Sequence, residues 1–204
     1  KAIKEAKYFG QVDVVASSKD TNYTYIPKNF EVHPSSAYLH ITTNNTIYGT
    51  QWHHFDTIKS LNMPLMADMS SDILSREMNF SDFDFIYAGA QKNIGAAGTT
   101  IVVINKNMIE KINKPIPTMM DYEQHILNAS MLNTPPVFAI YVCLLTLRWL
   151  KKNGGVSAIE KINNQKAALL YDTLDAIPFF TMPVAKEDRS KMNAVFTIAD
   201  TQLE

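Results

Sequence analysis

Residues Asp84 to Asn105 read DFIYAGAQKNIGAAGTTIVVIN. Two short apolar runs, Phe83 to Ala88 and Thr99 to Ile104, flank a polar turn built from small residues. Runs of this length, rich in Ile, Val, Phe and Tyr, are strand candidates. The turn carries Lys92 between Gln91 and Asn93, with Gly95 and Gly98 behind it. A lysine on a tight turn between two buried strands is expected to have an enclosed stem and a partly desolvated amine. Desolvation lowers an amine's pKa. An amine so prepared attacks carbonyls, which makes Schiff-base chemistry at Lys92 the first hypothesis.

Upstream, the run Pro64-Leu65-Met66-Ala67 ends abruptly in Asp68-Met69-Ser70-Ser71. This is the pattern of a parallel strand delivering an acid at its carboxyl end, where open α/β sheets place their ligands. Asp68 closing one strand and Lys92 just past the next would face one crevice. Pyridoxal phosphate needs such a pair: a lysine for its aldehyde and an acid against its ring nitrogen.

Further out, elements alternate in the manner of an α/β fold. A helix over Lys1 to Phe9 is stopped by Gly10, and strands are expected at Val12–Ala16, Ala37–Thr42, Met63–Ala67, Asp84–Ala88 and Thr99–Ile104. Helices follow over Lys106–Ile112, Tyr122–Leu127 and Pro135–Lys152, the last with prolines at its start and Asn153-Gly154-Gly155 at its end. A helix over Ser157–Ala176 precedes strands near Phe179–Met182 and Asn193–Ile198, and a further helix is expected to begin at Ala199–Glu204. We place a large domain at residues 1–152, and a connecting helix with the start of a small α+β domain at 153–204. The chain opens in mid-helix without a methionine, and is read as the interior of a longer polypeptide.

With 19 basic and 20 acidic residues the chain is close to neutral, which disfavours a nucleic-acid footprint. The longest apolar stretch, Pro136 to Leu147, is too short to span a bilayer, and no secretory leader is visible. The single cysteine, Cys143, lies within that stretch and reads as a packing thiol in a reducing compartment. A soluble cytoplasmic protein is expected.

Plainer readings stand beside these. A lone lysine on a turn is usually a surface residue. Asp68 followed by Ser-Ser could cap a helix. Ser70, Ser71 and Ser75 suit caps and turns better than nucleophiles, with no histidine in a triad-like context. His53, His54 and Asp56 resemble a metal cluster, but adjacent histidines on a strand point to opposite faces. His33 and His125 have no visible partner. Arg76 is a conceivable phosphate ligand but fits a structural ion pair better. Tyr141, Leu145, Trp149 and Leu150 keep helical spacing and are read as core.

The motifs together resemble one family. YAGAQKN with Gly95 and Gly98, preceded by ADMSSDILSR and TNNTIYGTQW, is similar to the phosphoserine aminotransferases. ASSKDTNYTYIP, MLNTPPVFAIY and DRSKMNAVFTI continue the likeness in order along essentially the whole chain. The resemblance implies a fold-type I, class V pyridoxal-phosphate enzyme with a mostly parallel central sheet flanked by helices. It implies amino transfer between glutamate with 3-phosphohydroxypyruvate and 2-oxoglutarate with phosphoserine, in serine biosynthesis. Bacterial members often also act on phosphohydroxythreonine in pyridoxine synthesis.

Carried over by position, Lys92 would hold the cofactor aldehyde and shuttle the substrate proton, and Asp68 would pair with the ring nitrogen. Thr46 would hydrogen-bond the ring's phenolic oxygen, and Gln91 would meet the phosphate. Asn133 and Thr134 would reach the phosphate in the neighbouring subunit of an obligate homodimer. The family's ring-stacking tryptophan, its glycine-rich phosphate loop and its substrate-binding arginines and histidine have no counterpart here. The reaction would therefore belong to the parent protein, and this chain alone could be only a folded or assembly unit. Another class V enzyme, an alanine–glyoxylate aminotransferase or a cysteine desulfurase, is the alternative. The desulfurase needs a loop cysteine, whereas Cys143 falls in a helix.

Overall fold

The structure is a computed structural model describing residues 2–111 and 114–198. It begins with α1 (Ala2–Ala6), then an irregular segment to β1 (Leu39–Thr42). A small hairpin, β2 (Asn44–Asn45) and β3 (Thr50–Gln51), is followed by α2 (Asp56–Lys59), β4 (Leu65–Asp68), β5 (Phe85–Gly89) and β6 (Thr100–Ile104). Then come α3 (Lys106–Ile109), α4 (Tyr122–Leu127), α5 (Val137–Lys152), α6 (Gly155–Asp175) and the short pair β7 (Phe180–Thr181) and β8 (Thr197–Ile198).

The central sheet has the order β1-β4-β5-β6. β1 pairs with β4 and β4 with β5 in parallel, whereas β6 returns antiparallel beside β5. Period-two alternation decides which face is buried. Leu39 and Ile41, Leu65 and Ala67, and Ile86 and Ala88 all turn to one side, onto Ile58, Met69, Ile73, Phe83 and Ile94. His40, Met66, Asp68, Phe85 and Tyr87 occupy the other, half-buried face. The mostly parallel sheet flanked by helices expected from the sequence is what forms.

Several expectations need correction. Val12–Ala16 forms no strand: among the described residues no neighbouring segment pairs with it, and an apolar run without a ladder partner stays irregular. The strand expected to run from Asn193 shrinks to Thr197–Ile198. β6 is only half buried rather than enclosed, because it closes one edge of the sheet. His53 and His54 follow β3 in a loop and not in a strand. The spacing that suggested core positions on α5 points the wrong way. Tyr141 and Trp149 are 54% and 55% exposed, and the helix docks through Ala139 and Cys143 instead. Gly95 lets it come that close: a β-carbon there would stand 2.6 Å from Cys143 Sγ and 3.0 Å from its backbone nitrogen. The helix expected at Ala199–Glu204 and the end of the one expected to reach Ile112 lie outside the described residues. No helix among the described residues is long and apolar enough to cross a membrane.

Candidate active site

The carboxyl edge of the parallel strands gathers the chemistry. Asp68 is the last residue of β4 and stands beside Tyr87 of β5 in the parallel register. It caps no helix. Its Oδ1 accepts hydrogen bonds from Ser70 N at 2.9 Å and Ser70 Oγ at 2.6 Å, an Asx-type turn that aims the carboxylate. Gly89 N in turn donates to Ser70 Oγ at 3.1 Å, so the end of β5 is tied to the same turn.

Behind Asp68 lies a pair that sequence reasoning missed. Tyr87 Oη and His40 Nε2 are 3.1 Å apart, with their rings stacked at 5.9 Å. Burial, and next the charge of Asp68, hold the Tyr87 phenol well above its usual range. Burial also lowers the His40 imidazole, against the opposing pull of Asp68. A neutral histidine and a neutral phenol therefore stand beside the carboxylate. Period-two spacing could have placed His40, Asp68 and Tyr87 on one face, but not in register.

Lys92 sits in the turn after β5, closed by Ile94 N and Gly95 N donating to Ala90 O at 3.0 and 2.9 Å. The expected enclosure is not found. The side chain is exposed, because the turn projects from the sheet edge rather than being covered by the flanking strands. Its amine donates to Thr46 Oγ1 at 2.6 Å, across 46 residues of sequence. Thr46 follows β2 in the β2–β3 turn, where Asn45 Oδ1 accepts from Ile47 N at 3.1 Å. The structure thus joins Lys92 to Thr46 and sets Asp68 at the end of the strand next to the one that carries the lysine.

Gln91 is exposed, its side chain lying over Gly89, where a β-carbon would be 2.7 Å from Gln91 Oε1. Asn133 and Thr134 are exposed in the segment before α5. Asn133 Nδ2 donates to Thr134 O at 3.2 Å, and neither residue hydrogen-bonds to Lys92, Asp68 or Thr46. Arg76 belongs to the framework. It donates to Trp52 O and to His53 O, the latter at 3.0 Å, and lies 3.6 Å from the fully buried Asp72. Ser71 and Ser75 bond backbone carbonyls, of Asn44 and Asp72 respectively. His53 Nε2 lies 3.0 Å from Arg189 O. Cys143 is buried and lies on α5, not on a loop. A recess of about 390 Å³, lined by Ile58, Lys59, Asp82 and Asp84 among others, opens at the amino ends of β4 and β5. It is at the opposite edge from these groups.

An exposed amine, a braced carboxylate and a hydroxyl at the carboxyl edge of a parallel sheet suit the aldehyde, ring nitrogen and phenolic oxygen of a pyridoxal ring. Known proteins share this chain's sequence and fold. Phosphoserine aminotransferase of Flavobacterium johnsoniae is 56% identical over 197 residues, covering 97% of this chain and 54% of its own. A solved phosphoserine aminotransferase, described for radiation damage of its Schiff base, superposes with a TM-score of 0.93 at 44% identity. That match covers 99% of this chain and 56% of the other. The PLP-bound phosphoserine aminotransferase of Trichomonas vaginalis superposes at 0.78 with 37% identity, over 85% of this chain and 50% of its own. The chain spans about half the length of the relatives it matches. A family model described as aminotransferase class-V matches residues 1–204, and the chain belongs to the class-V aminotransferase family.

Proposed function

We propose that this chain carries the cofactor-anchoring part of a pyridoxal-phosphate-dependent phosphoserine aminotransferase. The observation that carries the reading is the hydrogen bond between Lys92 Nζ and Thr46 Oγ1, beside the carboxylate of Asp68. Lys92 would hold the cofactor through its amine, and the same amine would carry the proton at the substrate Cα. Asp68 holds a proton on the ring nitrogen, and Ser70 keeps its carboxylate pointed there. Thr46 orients the ring through its phenolic oxygen, and Gln91 contributes to the phosphate site. The bound cofactor supplies an electron sink for the pair left at Cα when its proton departs.

The substrates in this reading are phosphoserine and 2-oxoglutarate in one direction, 3-phosphohydroxypyruvate and glutamate in the other. Phosphohydroxythreonine, and with it pyridoxine synthesis, is a second use of the same site. Residues 1–152 form the cofactor-binding domain, and the segment from 153 connects to a smaller one. The enzyme works as a cytoplasmic homodimer in which Asn133 and Thr134 complete the partner's phosphate site. Supporting the dimer, both residues are exposed ahead of a helix whose outer side is apolar.

Borohydride reduction of the longest protein the gene encodes, loaded with pyridoxal phosphate, followed by peptide mapping, tests the reading. The label is expected on Lys92 alone. Label on any other lysine, or none, overturns it.

A further inference from the structure

Among the described residues, Thr46 is the one hydrogen-bond partner of the Lys92 amine, and its turn is closed locally by Ile47 N and Gly49 N donating to Asn45. The hairpin that bears it is two residues long on each side, and so short a ladder is marginal by itself. Its further anchors come from 146 to 149 positions along the chain. Asn193 Nδ2 donates to Thr46 O at 3.1 Å and lies 3.5 Å from Asn45 O. Asn193 Oδ1 accepts from Asn44 Nδ2 at 2.9 Å, and the same amide donates to Ser71 Oγ at 2.8 Å. Ser190 Oγ donates to Asn44 Oδ1 and accepts from the backbone nitrogens of Met192 and Asn193. Ser190 N closes onto Gly49 O at 2.8 Å, on the far side of the turn. Asn44 and Ser190 are almost wholly buried, at 2% and 1%. A buried polar network in which each member is satisfied specifies one geometry, because losing any member strands the others.

Gly49 reinforces this. It has φ +76°, and a β-carbon there would lie 2.9 Å from Val195 Cγ2. The turn and the 190–195 segment are therefore in van der Waals contact as well as hydrogen-bonded.

We propose that Ser190 and Asn193 are positioning residues for the active site: they clamp the Asn44–Gly49 turn so that the Thr46 hydroxyl meets the Lys92 amine. The inference rests on the reading of Lys92 and Thr46 given above. It makes the late segment of the chain part of the site's machinery without touching a reacting atom.

The test uses the longest protein the gene encodes, without cofactor. Each lysine's rate of reductive methylation by formaldehyde and cyanoborohydride is read by mass spectrometry. Asn193→Ala should raise the rate at Lys92 by ~3- to 10-fold, on the scale of one ordinary net hydrogen bond, and leave Lys106 unchanged. Thr46→Val should raise it as much, and the double variant no further, since both act through one hydroxyl. An unchanged Lys92 in Asn193→Ala overturns the clamp, whether or not Thr46→Val responds. So do additive effects. If every lysine accelerates in Asn193→Ala, the variant has loosened globally, and Asn193→Asp decides. That variant keeps an acceptor for Asn44 and replaces the donors to Asn45 and Thr46 by a carboxylate oxygen. A selective rise at Lys92 supports the clamp, and a general rise or no change overturns it. Borohydride labelling of the loaded wild-type protein judges the cofactor reading separately, so the two can fail independently.

Discussion

Asp68 ends β4, accepts two hydrogen bonds from Ser70 and stands against Tyr87. Each contact constrains where its charge can point. Asp68→Asn keeps the shape and removes the charge that, in the proposed reading, holds a proton on the cofactor's ring nitrogen. We expect cofactor binding to survive and the half-reaction with glutamate to slow at least ~10-fold in single-turnover kinetics, each decade being about 1.4 kcal/mol of barrier. An unchanged rate would mean that another group faces that nitrogen. Arg76 serves the framework: it ties two carbonyls and faces a buried Asp72, whose carboxyl burial has pushed above its usual range. Arg76→Ala leaves that acid without its charge partner, held only by Thr43 and Gln51, and should cost ~3–5 kcal/mol in urea unfolding, as for other broken buried pairs. Two histidines contribute to the pH behaviour, opposite in sign to Asp72. Burial holds His40 and His53 below their ordinary value of 6.5. The unfolded chain then binds more protons than the folded one, so their contribution is present above pH 6.5 and is lost as the pH falls through the lowered folded values. Urea midpoints should drop between pH 7.5 and 5.5, and His40→Gln should remove part of that drop.

At the scale of elements, the docking of α5 on the turn after Lys92 depends on one missing side chain. Gly95 faces Cys143 with no room for a methyl group, and helix backbone cannot swing aside as a flexible side chain would. Gly95→Ala should therefore destabilise by ~1–3 kcal/mol through overpacking, measured by urea unfolding. It should also lower affinity for pyridoxal phosphate, because the displaced helix bears on the loop that carries the lysine. A variant with unaltered affinity would show that the Lys92 turn holds its shape without α5. Gly98, at φ +111°, ends the same turn and needs the conformational freedom of glycine.

On the scale of the whole molecule, the apolar side of α5 and the exposed Asn133-Thr134 pair bear on assembly. If Thr134 acts in a partner's pocket, mixing Lys92→Ala subunits with Thr134→Ala subunits gives heterodimers with one doubly damaged pocket and one intact. Activity should return to about half that of wild type per heterodimer, given an isologous interface. Heterodimers that form without regaining activity would sink the assignment. Much of this was legible beforehand, since period-two runs and small turn residues are local signals. They placed β4, β5 and β6, the Lys92 turn, Asp68 at a strand end and the prolines before α5. Helical spacing named apolar residues on α5 but not the side that docks, because a regular repeat leaves open which neighbour is met. The enclosure of Lys92 failed for the same reason, since covering a side chain depends on what packs over it. Only the tertiary structure could join Lys92 to Thr46, His40 to Tyr87 and Asn193 to Asn44. Those bonds link residues 46, 47 and 149 positions apart, and which partners meet over such separations is decided by how the chain packs.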